Sequence, residues 1–486
     1  MSKKKLTILH SNDLHGDFIP KTVDGVETGG IARLSGYVKN ARKQADNVVY
    51  AMAGDLFRGS IIDSEYLGLS TIDLVNVLDP DIATVGNHEV DYGIAHLLFL
   101  EKCATFPIVN ADLFITLNNT RLFEPYRVIE VDGIKVMFIG ILTDEVIAST
   151  KQEAVIGAFV DIEEAAREVG IICDNYRTRK IDLTVLLTHI GIEEDRKLAE
   201  LLDPHWGIDL IIGGHSHTFM DEPEVVNGIP IVQAGMGTGV VGRFDLVVNT
   251  WTNGIESYEW QCVPINEQTA PVDEIMAQMI ERYQGETDAK YKRLLTRFAR
   301  KLTHPSRIEE TELGNLYADM LQEDSSFDVM VIGTGSIRKE ELGPLVEYQD
   351  MLENTPFDDK LWMLKVTGGQ FRRMVMHFMR DEAWEGHTEF YQFSKGMRVV
   401  YRKSTHTLEE FKLNGQDITD DQVIDIALQN YHFQNFDEFM GVPLAEVEAN
   451  MKPRVVASSV NNIFEEYFST HQNLDAHVEG RLVILE

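Results

Sequence analysis

Five apolar runs in the first half of this chain end in side chains of the kind that bind metal ions. LTILH leads to Asp13 and His15, VVYAMAG to Asp55, and IATVG to Asn87 and His88; IDLTVLLT leads to His189, and IDLIIGG to His215 and His217. Short apolar runs of this length between helical segments read as buried strands of an α/β sheet. In such sheets ligands bind at the carboxyl ends of the strands, and the polar residues fall there. One Asp-x-His after a strand is an ordinary turn. Five such endings predict a shared site. Residues two apart in an extended chain project to the same side, so Asp13 and His15 are expected to reach one object together.

Between these runs lie amphipathic stretches: GIARLSGYVKNARKQ, STIDLVNVLDP, AHLLFLEKCA, DIEEAAREVGIICDNYR and EEDRKLAELLDP. The alternation predicts a layered α/β domain over residues 1–267. YRVIEVDGIKVMFIGIL reads as a hairpin turning at Asp132-Gly133. Residues 268–303 are helical in pattern, charged and without strand runs, and read as a connector. A second α/β region is expected over residues 304–486.

Composition excludes several partners. The net charge is −34, from 44 basic and 78 acidic side chains, and no basic run follows Lys3-Lys4-Lys5. Nucleic-acid binding is therefore not expected, and an anionic substrate needs local attraction from metal ions and a few arginines. No segment has the length and apolarity of a membrane span, and none resembles a signal peptide. The three cysteines, Cys103, Cys173 and Cys262, form no paired framework, which favours a reducing compartment. A cytoplasmic protein without membrane partners is expected.

The ligands number seven: Asp13, His15, Asp55, Asn87, His189, His215 and His217. That is too many for one ion of ordinary coordination and suits two ions sharing a bridge, for which a carboxylate is the natural group. The mixed nitrogen and oxygen set excludes a cysteine-type structural zinc site and is compatible with Mn²⁺, Fe, Zn²⁺ or Co²⁺.

DLH, GDLF, GNHE, TH and GHSH, in this order, resemble the calcineurin-like metallophosphoesterase domain. The resemblance implies an α/β/β/α sandwich with Asp13, His15, Asp55 and His217 on one metal and Asp55, Asn87, His189 and His215 on the other, Asp55 bridging. Many relatives have Gln where His217 stands. Gly213-Gly214 is expected to let the backbone approach the ions closely. The resemblance further implies that His88 acts on the leaving group, with Asp91 orienting it and favouring its charged form.

Over nearly its whole length the chain is similar to the two-domain 5′-nucleotidase family. RIEETELGNLYADM, GTGSIRKEELGPLVEYQDMLENTPFDDKLWMLKVTGGQF and EFYQFSKGMRVVY carry the likeness in the second half. It implies a smaller α/β substrate-binding domain, with Arg307, Arg338 and Gly335 of the Gly-rich block at the substrate, Phe390 and Tyr431 sandwiching a base, and Asp437 on the ribose. Two segments depart from the family pattern: GTGSIR lacks an Asn, and Phe436 and Glu438 replace glycines, adding bulk and charge beside the pocket. The expected activity is hydrolysis of nucleoside 5′-monophosphates by a dinuclear metal centre. Its alternatives are a 2′,3′-cyclic-nucleotide phosphodiesterase and a nucleotide-sugar or dinucleotide diphosphatase. A silent nucleotide-binding protein is disfavoured because every metal ligand and the His88-Asp91 pair are present.

Overall fold

The computed structural model describes residues 3–23, 25–115, 120–142, 158–159, 161–176, 179–323, 325–384 and 389–486. They form two compact units, Met1–Thr287 and Asp288–Glu486.

The first unit is built on two six-stranded sheets. One runs, edge to edge, Gly254–Pro264, Val240–Asn249, Lys3–Ser11, Val48–Ala53, Ile82–Thr84 and Ile108–Val109. The other runs Glu224–Val226, Ile229–Val232, Leu210–Ile212, Leu183–His189, Ile134–Leu142 and Tyr126–Val131. The inner strands of each pair in parallel. Such strands are covered on both faces and so read as unbroken apolar runs; every residue of Val48–Ala53 and of Leu183–His189 is buried.

The sheets pack against each other through Ile8, Val49, Ala51, Phe138, Val185 and Leu210. Helices Ile31–Gln44 and Leu69–Leu78 cover the outer face of the first sheet, and Ile162–Tyr176 and Ile192–Leu201 that of the second. The result is the expected α/β/β/α sandwich. The hairpin Tyr126–Leu142 turns at Asp132-Gly133, both with positive φ (48° and 66°), as a two-residue turn matching strand twist requires.

The stretch read as a helical connector is a helix over Glu274–Tyr291. Leu294–Arg297 and Leu302–Thr303 are strands, which pair with Leu345–Glu347 and Glu341–Leu342. Runs this short are too brief to show a period of two. The second unit centres on a five-stranded sheet of Tyr391–Phe393, Val329–Gly333, Val423–Gln429, Leu361–Thr367 and Arg454–Ala457, with a core on each face. A four-stranded sheet of Gln416–Asp417, Thr407–Leu413, Met397–Arg402 and Leu482–Leu485 completes it.

Candidate metal centre and substrate residues

Each of the five runs ends where the sequence places a ligand. The strands finish at Ser11, Ala53, Thr84, His189 and Ile212, and the loops beyond them carry the other six side chains. Asp13 and His15 converge, but not through an extended segment. Asp13, His15, Asp55, His215 and His217 all have left-handed backbones, with φ of 53°, 49°, 54°, 77° and 52°. Side chains rarely adopt this region, and such strain persists only where surrounding structure enforces it.

The side chains gather in two groups. Ligand atoms of Asp13, His15 and His217 lie within 4.8 Å of one another, and so do those of Asp55, His189 and His215. In the first group His217 Nε2 stands 3.3 Å from Asp13 Oδ1 and 3.0 Å from His15 Nε2. In the second, His189 Nε2 is 3.1 Å from Asp55 Oδ2, and Asn87 Oδ1 is 3.2 Å from His189 Nε2 and 2.7 Å from His215 Nδ1. Asp55 Oδ2 also lies 3.7 Å from His15 Nε2, so this carboxylate stands between the groups. Asp13, Asp55 and His189 are buried, while His217 faces outward and leaves the centre open on one side.

The donor set fits divalent cations. His189 Nδ1 lies 2.8 Å from the Ala53 carbonyl, and His15 Nδ1 lies 3.3 Å from that of Phe57. A carbonyl only accepts, so both Nδ1 atoms carry the proton and both Nε2 lone pairs face the cluster. The cluster attracts positive charge. Burial opposes ionisation of either partner, yet the Asp55 carboxylate, with Asp13, raises the His189 pKa, and His189 helps lower that of Asp55, so the position facing Nε2 attracts a proton or a cation.

Supports behind the ligands include residues the sequence did not single out. Glu89, quoted within GNHE but given no role, is buried, and its carboxylate accepts the backbone N–H groups of Asp55 at 3.0 Å, Leu56 at 2.7 Å, and Gly86. Asn12 donates to Asp13 Oδ2 at 2.7 Å and to the Gly235 carbonyl at 2.6 Å. The Gly213-Gly214 pair makes room for such neighbours. A Cβ on Gly213 would sit 2.2 Å from Asp195 Oδ2, and one on Gly214 2.8 Å from His189 Nδ1 and 3.0 Å from Asp13 Oδ2.

His88 joins the centre as expected. Its ring meets that of His15 edge-on at 5.2 Å, and its Nδ1 faces Asp91 Oδ2 at 2.7 Å. This hydrogen bond raises the His88 pKa above its ordinary value despite partial burial.

In the second unit the expected substrate residues divide. Arg307 and Arg338 are exposed, with no hydrogen bond from either guanidinium among the described residues. Both act electrostatically on Glu389, whose carboxylate accepts the Gly335 N–H at 2.8 Å and whose pKa is raised, chiefly by burial. Arg307, Arg338 and Gly335 are thus assembled around one acidic side chain that the sequence reading did not single out. Tyr431 is exposed.

Phe390 is not available to sandwich anything. It is 1% exposed, packs on Trp384 within the core, and contributes its carbonyl to Thr334 N–H at 2.9 Å. Phe390 stands just before the strand Tyr391–Phe393, every residue of which is also buried, so no solvent face alternates with a covered one there. Phe436 is also buried, so its bulk adds to the core and not to a pocket. Asp437 is exposed and accepts the Leu444 N–H at 2.6 Å. The ring found outside is Phe357, 44% exposed, with the Arg338 guanidinium 5.0 Å from its centre. Its segment runs beside Tyr431: Asp359 accepts the Tyr431 N–H, and Asn430 N–H donates to the Lys360 carbonyl at 2.9 Å. TPFDD carries this ring in the sequence, in a block already singled out.

Comparisons with known proteins agree with this architecture. The family model for calcineurin-like phosphoesterases matches residues 6–219, and that for the 5′-nucleotidase C-terminal domain matches residues 287–443. Protein 5NUC of Lutzomyia longipalpis is 27% identical, covering 82% of this chain and 77% of its own. The snake venom 5′-nucleotidase of Naja atra is 26% identical, with 82% of each chain covered. The crystal structure of a 5′-nucleotidase precursor from Thermus thermophilus has the same fold, with a TM-score of 0.60 and 23% identity over 99% of both chains. The chain belongs to the two-domain 5′-nucleotidase family and is a metal-dependent phosphohydrolase, a calcineurin-like phosphoesterase domain followed by a 5′-nucleotidase C-terminal domain.

Proposed function

We propose that this chain hydrolyses nucleoside 5′-monophosphates to nucleoside and phosphate, using two divalent ions. The observation that carries the reading is the convergence of seven ligating side chains in two groups around Asp55, with His88 and Asp91 at their edge. Asp13, His15, Asp55 and His217 would hold one ion, and Asp55, Asn87, His189 and His215 the other. When bound, such ions neutralise phosphoryl oxygens and activate water as a nucleophile.

The chain's own residues supply the rest. His88 is fixed through Nδ1 by Asp91, which leaves Nε2 to give its proton to the leaving oxygen. Asp91 is itself held as a carboxylate: burial works against this, but the hydrogen bonds and charges of His88 and Arg58 together outweigh it. Arg307 and Arg338 offer guanidinium forks to substrate oxygens, and the exposed rings of Tyr431 and Phe357 support stacking on a base.

A second reading, a cyclic nucleotide or a nucleotide sugar or dinucleotide as substrate, is supported by Glu389. Its carboxylate occupies the Gly335 N–H and partly offsets the two arginines. Phosphate release from AMP, UMP, 2′,3′-cyclic AMP, UDP-glucose, NAD and an aryl phosphate would decide, after loading apo-protein with Mn²⁺, Zn²⁺, Co²⁺ or Fe²⁺. Preferred hydrolysis of a 5′-monophosphate is expected. Turnover of the aryl phosphate alone would refute nucleotide recognition while keeping the metal centre.

A further inference from the structure

A sixth apolar run ends in a polar side chain at the same end of its sheet. The strand Ile229–Val232 pairs in parallel with Leu210–Ile212, the strand that leads to GHSH, and is followed by Gln233. Gln233 is fully buried. Its amide nitrogen donates to Asp195 Oδ2 at 3.3 Å and to the Gly214 carbonyl at 3.1 Å. Its amide oxygen accepts the Ser216 hydroxyl at 3.0 Å and the Thr218 N–H at 3.2 Å. Four bonds are all that an amide side chain makes, and a carbonyl on one side with an N–H on the other fixes which way it faces. Asp195, also buried, accepts the Thr188 hydroxyl at 2.6 Å through its other oxygen, and Thr188 precedes His189 on its strand.

Within the GHSH loop these bonds fall on Gly214, Ser216 and Thr218, so that His215 and His217 are each flanked by two of them. Both histidines have left-handed backbones, at 77° and 52°, which persist only where neighbours enforce them. None of the four bonds goes to an imidazole, so the amide acts on the loop and not on the rings. His215 belongs to the group with Asp55 and His189, and His217 to that with Asp13 and His15. We propose that Gln233 is a positioning residue for both ions: its amide holds His215 and His217 in ligating conformation at once, and Asp195 joins them to His189. The inference rests on reading the two groups as a two-ion centre.

A loop ordered before the ion arrives loses less entropy when the ion binds. Gly213 shows how closely this loop is brought down onto the pair: a Cβ there would sit 2.2 Å from Asp195 Oδ2 and 3.0 Å from Gln233 Nε2. A methionine at position 233 has a similar length and would fill the same space, yet it would leave the Thr218 N–H without its acceptor.

The test titrates metal-free wild type, Q233M, S216A and I229A with Mn²⁺ by calorimetry and with Co²⁺ by its ligand-field absorption, and records the Tm of each metal-free protein. Q233M should weaken both binding steps by about 10–100-fold, the usual effect of removing a partner behind a metal ligand, and should alter the Co²⁺ band. S216A removes one of the four bonds and should weaken both steps less; it carries the same comparison should Q233M not fold. I229A empties a core position at the other end of the strand and should lower Tm with both affinities near those of wild type. Affinities that fall no further in Q233M than in I229A would overturn the proposal, since Gln233 would then serve only the fold. So would weakening of one step alone. A wild type that takes up a single ion refutes the two-ion reading, and the shift in its one affinity still decides whether Gln233 positions a ligand.

Discussion

The carboxylate of Glu89 accepts the backbone N–H of Asp55 at 3.0 Å, and with it those of Leu56 and Gly86. One buried acid thus ties the loop of GDLF to the loop of GNHE. It also keeps Asp55 at the midpoint between two groups of ligands. Burial and the nearby Asp55 charge push its pKa up, so its hydrogen bonds hold in place a group that its surroundings do not favour as an anion.

Glu89→Ala leaves three buried N–H donors without their acceptor. Urea unfolding should show a loss of about 3 kcal/mol, at roughly 1–3 kcal/mol for each unpaired donor with partial relaxation. Glu89→Gln keeps one acceptor oxygen and should lose less. Identical midpoints and slopes for the alanine variant and wild type would refute this role.

His88→Ala should lower kcat by about 10²–10⁴-fold, the usual range for a general acid, with metal content unchanged. Asp91→Asn leaves the ring present but less well held and should cost less. Single-turnover kinetics on metal-loaded protein would measure both. An alanine variant as fast as wild type removes His88 from the reaction.

Metal binding should appear in stability, apart from activity. At a hundredfold excess of Mn²⁺ or Zn²⁺ over Kd, one site adds about 2.7 kcal/mol to unfolding. Asp55→Asn, which takes charge from the carboxylate between both groups, should lose most of that gain in a thermal melt. Equal gains in variant and wild type would place the ions elsewhere.

Asp112 should make stability fall with rising pH. It is fully buried, and desolvation raises its pKa from 3.8 to about 7, against hydrogen bonds from Leu142 N–H and Asn110. A carboxyl raised on folding gives stability that is complete below its unfolded pKa and lost as pH climbs through the folded one. Unfolding free energy should therefore drop between about pH 4 and pH 7, by roughly 2–4 kcal/mol from this group. Asp112→Asn should flatten that slope in urea titrations at pH 5 and pH 8. An unaltered slope assigns the effect to other groups.

Phe390 and Tyr431 should separate cleanly. Phe390→Ala empties a core position and should cost about 3–5 kcal/mol of stability. Tyr431→Ala should leave the melt near wild type and raise KM for a nucleotide, stacking being worth about 1–3 kcal/mol per base. A normal melt for the Phe390 variant together with a raised KM would reverse the assignment.

The layered fold was legible because its signals are local. A strand covered on both faces is an unbroken apolar run, as in VVYAMA and LTVLLTH, and a surface helix shows its stripe within a few turns. The clustering of the candidate metal ligands was legible for the same reason. A strand end fixes where the next side chain lies to within a loop, so five polar endings pointed to one place. The strands at Leu294–Arg297 and Leu302–Thr303 were not legible, because their pairing partners lie some 40 to 50 residues downstream and two to four residues carry no period.

By itself the sequence determined a layered α/β domain and a cluster of candidate metal ligands, since each follows from short-range pattern and chain order; the sandwich and the phosphohydrolase followed from the likeness of its motifs to a family. Only the tertiary structure decided which of two phenylalanines is covered. Phe390 lies beneath Trp384 and Phe357 lies outside beside Arg338, because burial is set by whatever packs against a face. Only the tertiary structure found Glu89 beneath Asp55 and Arg58 locked to Asp91, because a hydrogen bond across a fold depends on the approach of two loops, which neither loop's sequence specifies.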